Sequence, residues 1–264
     1  MILVDDPDDA RLAVFRLNER GLASRPQRRD PSGAGLFLAE GDLVVQRALA
    51  AGCEPVAALV DASRPPAIIT QFPPGTEVYG GGERVRTMVT GLGVAHSIVA
   101  VFRRPPRPTA AQLAERCTRL VIVEAVDNPA NMGSIVRNAA ALGWQGLILD
   151  TTSADPLARR SLRASMGHAA AFPFAREPDL PAVLDQLRSF DFAIVALTPS
   201  ANAVRLDEIA ATERLAILIG SERTGLRAET MALATHAAAI PMDAGIDSLN
   251  AAAATAIACY VLRG

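Results

Sequence analysis

The sequence predicts an α/β protein of two domains, the second built on a parallel sheet, and three observations predict it. Segments such as Leu120-Val-Ile-Val-Glu124, Gly146-Leu-Ile-Leu-Asp150 and Leu215-Ala-Ile-Leu-Ile219 are almost continuously apolar, as strands are when helices cover both faces of a parallel sheet. Helical segments alternate with them along the chain. The run Arg103-Arg-Pro-Pro-Arg-Pro108 is stiffened by prolines that cannot donate to a ladder, so it separates two alternating halves. Residues 1–106 form the expected first domain, 107–117 the linker and 118–264 the second domain.

In the first domain, residues 8–20 read as an amphipathic helix with Ala10, Val14 and Leu17 on one face. Gly35-Leu-Phe-Leu-Ala-Glu-Gly41 reads as a short strand, and Asp42 as the cap of a helix over 43–51 that Gly52 ends. Strands are expected at 56–60 and 67–70, the latter between two Pro-Pro pairs. Glu77-Val-Tyr79 runs into Gly80-Gly-Gly82, read as a turn, then a helix over 83–90 and a strand over 97–102. No G-x-G-x-x-G follows a strand, which counts against a dinucleotide site.

The second domain opens after a short connecting helix from Thr109 to Cys117. Strands are expected at 120–124, 146–150, 192–197, 215–219 and 238–240. Between them lie a turn at 127–131 and helices at 134–142, 162–166, 180–189 and 228–235, with 248–262 closing the chain. Ligands in such sheets bind beyond the carboxyl ends of the strands. Three turn-rich segments fall there: 128–137, 220–226 and 240–250.

Composition narrows the chemistry. The 264 residues are 50% hydrophobic, enough for substantial cores. The acidic start and the short apolar run at 251–262 predict neither a signal peptide nor a membrane span, hence a cytoplasmic protein. Cys53, Cys117 and Cys259 are scattered, and His96, His168 and His236 match no metal spacing, so no metal site is expected. All 26 basic residues are arginine, which excludes Schiff-base and phosphate-loop lysines. A net charge of −2 argues against indiscriminate polyanion binding. Arg20, Arg25, Arg28 and Arg29 cluster locally, either as a solvated loop or as a flexible phosphate contact.

Together the three segments resemble the signature motifs of the SpoU, or TrmH-like, branch of the SPOUT RNA ribose methyltransferases. The matching residues are Asn128-Pro-Ala-Asn131-Met-Gly133-Ser-Ile-Val-Arg137, Ile219-Gly220-Ser-Glu222-Arg-Thr-Gly225-Leu226, and Ile240-Pro-Met242 with Ser248-Leu-Asn250; Arg163-Ala-Ser165-Met-Gly167 is a further match. The first domain, through Leu36–Gly41 and Gly93–Phe102, is similar to the ribosomal-protein-like RNA-binding domain that precedes the catalytic domain in many members.

The resemblance implies a trefoil knot in the second domain, S-adenosylmethionine bound within it, and a homodimer acting on RNA. It implies that Gly220, Ile240 and Leu249 hold the adenosine through backbone groups, with Leu197, Thr198, Ile219 and Met242 lining the pocket. Arg137 would approach the partner's active site. Guanidinium is too weak an acid to serve readily as a base, so orienting the ribose or stabilising the developing alkoxide suits it better. Asn131, Ser248 and Asn250 would position the hydroxyl, Glu222 would anchor the loops or sit near the cationic donor, and Arg163 would grip RNA or mark a helix end. Ala130 and Ala252 stand where many members have glycine and serine; the first asks whether that turn needs a positive φ. The expected activity is methylation of a ribose 2′-hydroxyl in ribosomal RNA, with transfer RNA as the alternative substrate. A non-catalytic RNA-binding protein on the same scaffold is the rival from another class.

Overall fold

A computed structural model describes residues 1–91, 93, 95–200, 202–210, 212–243 and 246–263. The chain divides into two compact units, 1–106 with 157–171, and 107–156 with 172–264. The division after Pro106 falls within the proline-rich run 103–108, and residues 157–171 belong to the first unit.

The first unit contains β1 (Ile2–Val4), α1 (Glu19–Leu22), α2 (Arg25–Arg29), β2 (Leu36–Glu40), α3 (Asp42–Ala50), β3 (Pro55–Asp61), β4 (Glu77–Gly81), α4 (Glu83–Thr90) and β5 (Ile98–Arg103). Its sheet has the order β1-β4-β3-β5-β2, parallel across the first three strands and antiparallel across the last three. Leu12, Phe15, Leu38, Leu59 and Val101 are buried in its core.

Several local expectations differ from this arrangement. The helix expected over 8–20 is a 3-10 segment, Ala10–Arg16, broken from α1 by Asn18, whose side chain accepts from Arg20 and Gly21 N–H. Leu12 and Phe15 are the buried residues there, rather than the face of Ala10, Val14 and Leu17. Asp42 does not cap α3: the cap position is Gly41, and the Asp42 carboxylate accepts from the Ser97 hydroxyl. Ala67–Gln71 is a 3-10 turn rather than a strand, because the flanking prolines deny it a ladder. Gly80 and Gly81 belong to β4, where added methyls would meet Met1 Sδ at 2.9 Å and Val85 Cγ1 at 3.0 Å. These glycines let neighbouring side chains pack onto the strand instead of turning the chain.

The second unit begins with α5 (Ala110–Arg116), whose Ala110, Leu113 and Ala114 are buried in its core, so residues 107–117 pack as part of that unit and not only as a linker. It continues with β6 (Arg119–Val123), α6 (Pro129–Ala141) and β7 (Gly146–Leu149); then α7 (Arg159–Ala164) returns to the first unit. After it come β8 (Phe174–Arg176), α8 (Leu180–Ser189), β9 (Ala193–Leu197), β10 (Val204–Arg205), β11 (Leu215–Ile219), α9 (Ala228–Ala232), β12 (His236–Ala239) and α10 (Ala251–Val261). The seven strands are parallel in the order β10-β12-β9-β11-β6-β7-β8. Strands β8 and β10, three and two residues long, are too short to carry a periodic signal. The chain leaves β6 toward β7 but reaches β11 on the other side, so the crevice of a switch point opens at the carboxyl ends of β6 and β11.

Candidate active site

The carboxyl ends of β12, β9 and β11 lie side by side, and there the chain turns away from the sheet. The turn after β11 is closed on itself. Gly225 N–H donates to Ser221 O at 3.0 Å, and Thr224 N–H to Ser221 Oγ at 3.1 Å. A Cβ on Gly220 would lie 2.2 Å from the Gly225 carbonyl carbon and 2.4 Å from Leu226 N, so only glycine permits the return strand to pass.

A cavity of about 450 Å³ opens between these strand ends and the 240–250 segment. Leu197, Thr198, Ile219, Gly220, Ile240, Met242 and Leu249 all line it, as do Ser248, Leu226 and Met231. Ala244 and Gly245, within the same segment, lie outside the described residues. Apolar side chains dominate the lining, while Glu222 and Asp247 outnumber Arg223 and leave it net negative. A planar apolar ligand carrying a positive charge fits that combination, and the volume is within the usual range for small-molecule sites.

Asn131 and Asn250 meet beside this cavity through Glu222. Glu222 Oε1 accepts from Asn131 Nδ2 at 2.8 Å, Asn250 Nδ2 at 2.6 Å and Ala251 N at 3.3 Å. Asn250 Nδ2 also donates to Asn131 Oδ1 at 3.1 Å. Meanwhile Asn250 Oδ1 caps α10, accepting from Ala252 and Ala253 N–H. One carboxylate oxygen therefore ties the first turn of α6 to the start of α10 and to the loop after β11. The two helices also pack directly, with Asn138 Nδ2 donating to Ala252 O at 3.1 Å.

Helix α6 begins earlier than the expected 134, because Asn128 caps it and Pro129 occupies the first helical position. That signal was present in the Asn-Pro pair. Ala130 is consequently helical and is not among the positive-φ residues, so no glycine is required there.

The predicted arginines separate. Arg137 is exposed and has no hydrogen bond or ion pair among the described residues, and it does not line the cavity of its own chain. Arg25 and Arg29 are exposed on α2, whereas Arg28 is half-buried and donates through Nη1 to Ala23 O at 2.9 Å and Glu19 O at 3.1 Å. Arg163 lies 3.7 Å from Glu40 Oε2, within the first unit, where buried Glu40 also accepts from Arg159.

Glu124, at the end of β6, is 1% exposed and was missed in the sequence as a site residue. Its carboxylate accepts from Arg227 Nε at 2.6 Å, Arg227 N–H at 2.8 Å and the Thr230 hydroxyl at 2.7 Å, so it fixes the chain between cavity residues Leu226 and Met231. The hydrogen bond to Glu124 raises the pKa of Arg227. A lone glutamate closing an apolar strand was the available signal. At the end of β7, burial pushes the Asp150 carboxyl up, but hydrogen bonds from Ser153, Thr152 and Ala125 outweigh it and leave the group below its ordinary value.

Burial pushes the Cys53 thiol up to about 11 and raises Cys117 and Cys259, so none is a ready thiolate. Among the described residues no group of three or more His, Cys, Asp or Glu side chains could hold a metal ion, and no helix is long and apolar enough to cross a membrane.

Residues 118–260 match the SpoU rRNA Methylase family. Over 262 residues the chain is 39% identical to an uncharacterised tRNA/rRNA methyltransferase of Mycobacterium bovis, covering 97% of this chain and 90% of the relative. It is 27% identical to RlmP of Bacillus subtilis, a 23S rRNA (guanosine(2553)-2′-O)-methyltransferase, over 90% of this chain and 92% of that one. The AdoMet-bound rRNA methyltransferase of Sinorhizobium meliloti superposes with a TM-score of 0.82 at 25% identity, covering 99% of this chain and 97% of that one.

Proposed function

The chain belongs to the SpoU rRNA methylase family, and from that premise we propose that it transfers a methyl group from S-adenosylmethionine to a ribose 2′-hydroxyl of structured RNA, ribosomal RNA before transfer RNA. The observation that carries this reading is the convergence of the strand-end cavity with the Asn131–Glu222–Asn250 network on one side of a single sheet.

S-adenosylmethionine supplies an electrophilic methyl on a positively charged sulfur. Leu197, Ile219, Leu226, Met231, Ile240 and Leu249 would enclose its adenosine, excluding water, while Glu222 and Asp247 offset its positive charge. Backbone groups at Gly220, Ile240 and Leu249 would read the adenine edge. Ser248, exposed on the cavity wall, and the Asn131–Asn250 pair would orient the hydroxyl, because neutral amides and hydroxyls hold an uncharged nucleophile without neutralising it.

Arg137 would act on the cavity of a second copy, binding the ribose or its phosphate and stabilising charge on the oxygen as its proton leaves. Two features support a homodimer: Arg137, exposed and unpaired among the described residues, and the exposed Ile257, Tyr260 and Val261 on α10. The knotted path implied by the resemblance would bring α6, α10 and the loop after β11 together, and one Glu222 oxygen bonds to both helices. The first unit would read the RNA, with Arg25 and Arg29 as phosphate contacts.

The test is transfer of labelled methyl from S-adenosylmethionine to ribosomal RNA and, separately, transfer RNA from a strain lacking the gene, followed by nucleoside analysis. A 2′-O-methylated nucleoside in ribosomal RNA is expected. Incorporation only into transfer RNA would change the substrate class, and donor binding without incorporation into either would leave a non-catalytic RNA-binding protein.

A further inference from the structure

A second cavity, of about 490 Å³, adjoins the first and shares with it the turn Ser221–Thr224. Its character is different. Of the eight described residues that line it, seven are polar or charged, with the carboxylates of Asp127 and Glu222 beside the guanidinium of Arg223, and Ala125 is the exception. Among the described residues it offers no aromatic or broad apolar surface on which a base could stack, and stacking is the usual means of holding an unpaired base. Among the described residues Arg223 is the one cation lining either cavity. It is exposed, at the tip of a turn fixed by the Ser221–Thr224 hydroxyl contact of 2.8 Å, and has no hydrogen bond or ion pair among the described residues.

We propose that this second cavity receives the sugar-phosphate backbone of the target nucleotide, with Arg223 binding the phosphodiester next to the methylated ribose. The inference rests on the ribose-methylation reading and adds to it the part of the substrate recognised. On one ribose the 2′-hydroxyl and the 3′-phosphate are carried by adjacent carbons. A phosphate held by Arg223 in the polar cavity therefore leaves the hydroxyl at the shared turn, facing the apolar cavity. A forked guanidinium suits a phosphodiester. Because the pocket has little for a base to bind, base identity is selected elsewhere on the protein.

The test is a salt titration of the binding of full-length protein to ribosomal RNA from a strain lacking the gene, for wild type, Arg223→Gln and Arg223→Lys, with calorimetric S-adenosylmethionine binding measured alongside. Losing one phosphate contact lowers the log-log salt slope by about 0.7–0.9. Arg223→Gln is expected to show that drop without a fall in donor affinity, since it removes a cation from the wall of a cavity that takes a cationic donor, and Arg223→Lys to restore the slope because it keeps the charge. An unchanged slope in Arg223→Gln overturns the proposal. So does a fall in donor affinity with RNA binding intact, since the guanidinium would then serve the donor carboxylate. A wild-type protein that shows the Arg223-dependent slope but transfers no methyl supports the cavity assignment and overturns the methyl-transfer reading instead.

Discussion

Helix α2 in the first unit and helix α6 in the second both carry arginines, and they differ in what those arginines have to bind. On α2, Arg28 is fixed by two main-chain carbonyls while Arg25 and Arg29 are exposed without a described partner. On α6, Asn131 at the first turn is locked to Glu222, and Arg137 less than two turns later has no partner among the described residues. In a chain without lysine, residue type does not separate structural from functional cations. Their acceptors do: a guanidinium whose donors are already satisfied stabilises the fold, and one left exposed is available for an external anion.

The largest expected effect tests the free end of α6. Arg137→Ala should lower single-turnover methyl transfer by about 10²–10³-fold, as removal of a group stabilising transition-state charge does. Its thermal stability should change by less than about 0.5 kcal/mol, because the side chain is exposed and makes no hydrogen bond or ion pair among the described residues. Mixing Arg137→Ala with Asn250→Ala should restore part of the activity if each site draws its arginine from the partner. A stable Arg137→Ala protein with full activity would break the rule that the free cation is the functional one.

A smaller effect tests a held arginine of the second unit. Glu124→Ala leaves the buried Thr230 hydroxyl and the Arg227 N–H without their acceptor, at a cost of about 1–3 kcal/mol. Arg227 is 55% exposed, so water takes over much of its charge and holds the cost near the lower end. Donor affinity should fall as well, since Leu226 and Met231 flank the anchored segment. Urea midpoints and calorimetric titration would check both. A loss of stability with unchanged donor binding would limit Glu124 to the fold.

The contrast also marks how far sequence could be read. The strands of the second sheet were legible where they are long and fully buried: Leu215–Ile219 needs no information beyond its own apolar run. The seven residues that the resemblance assigns to the donor line the strand-end cavity, since their motifs fall at strand ends. What depended on distant partners was not legible. Gly80 read as a turn because the Met1 side chain that crowds it lies far away in the sequence. The 67–71 segment differs for a local reason: its two isoleucines favour a strand, but the prolines on both sides deny it a ladder. Residues 157–171 joined the first unit through Arg159, whose acceptor Glu40 is 119 positions away. Nothing local to Arg28 or Arg29 foretells that one would be held and the other free.

That last pair gives the finest test. Arg28→Ala removes the donor for two carbonyls at the join between α1 and α2, and should destabilise the protein by about 1 kcal/mol. Arg29→Ala should leave stability unchanged within about 0.5 kcal/mol, since its side chain holds no described partner. In RNA binding the order reverses. Arg29→Ala should lower the salt slope by about 0.7–0.9, the loss of one phosphate contact, while folded Arg28→Ala keeps the wild-type slope. Chemical denaturation and a salt titration on the two variants would read all four quantities. If both arginines lowered the slope equally, the carbonyl contacts of Arg28 would be weak enough for RNA to displace, and acceptors in the free chain would not decide which cations bind it. If neither did, α2 would lie outside the RNA footprint, and the exposed arginines of the first unit would be solvated charge.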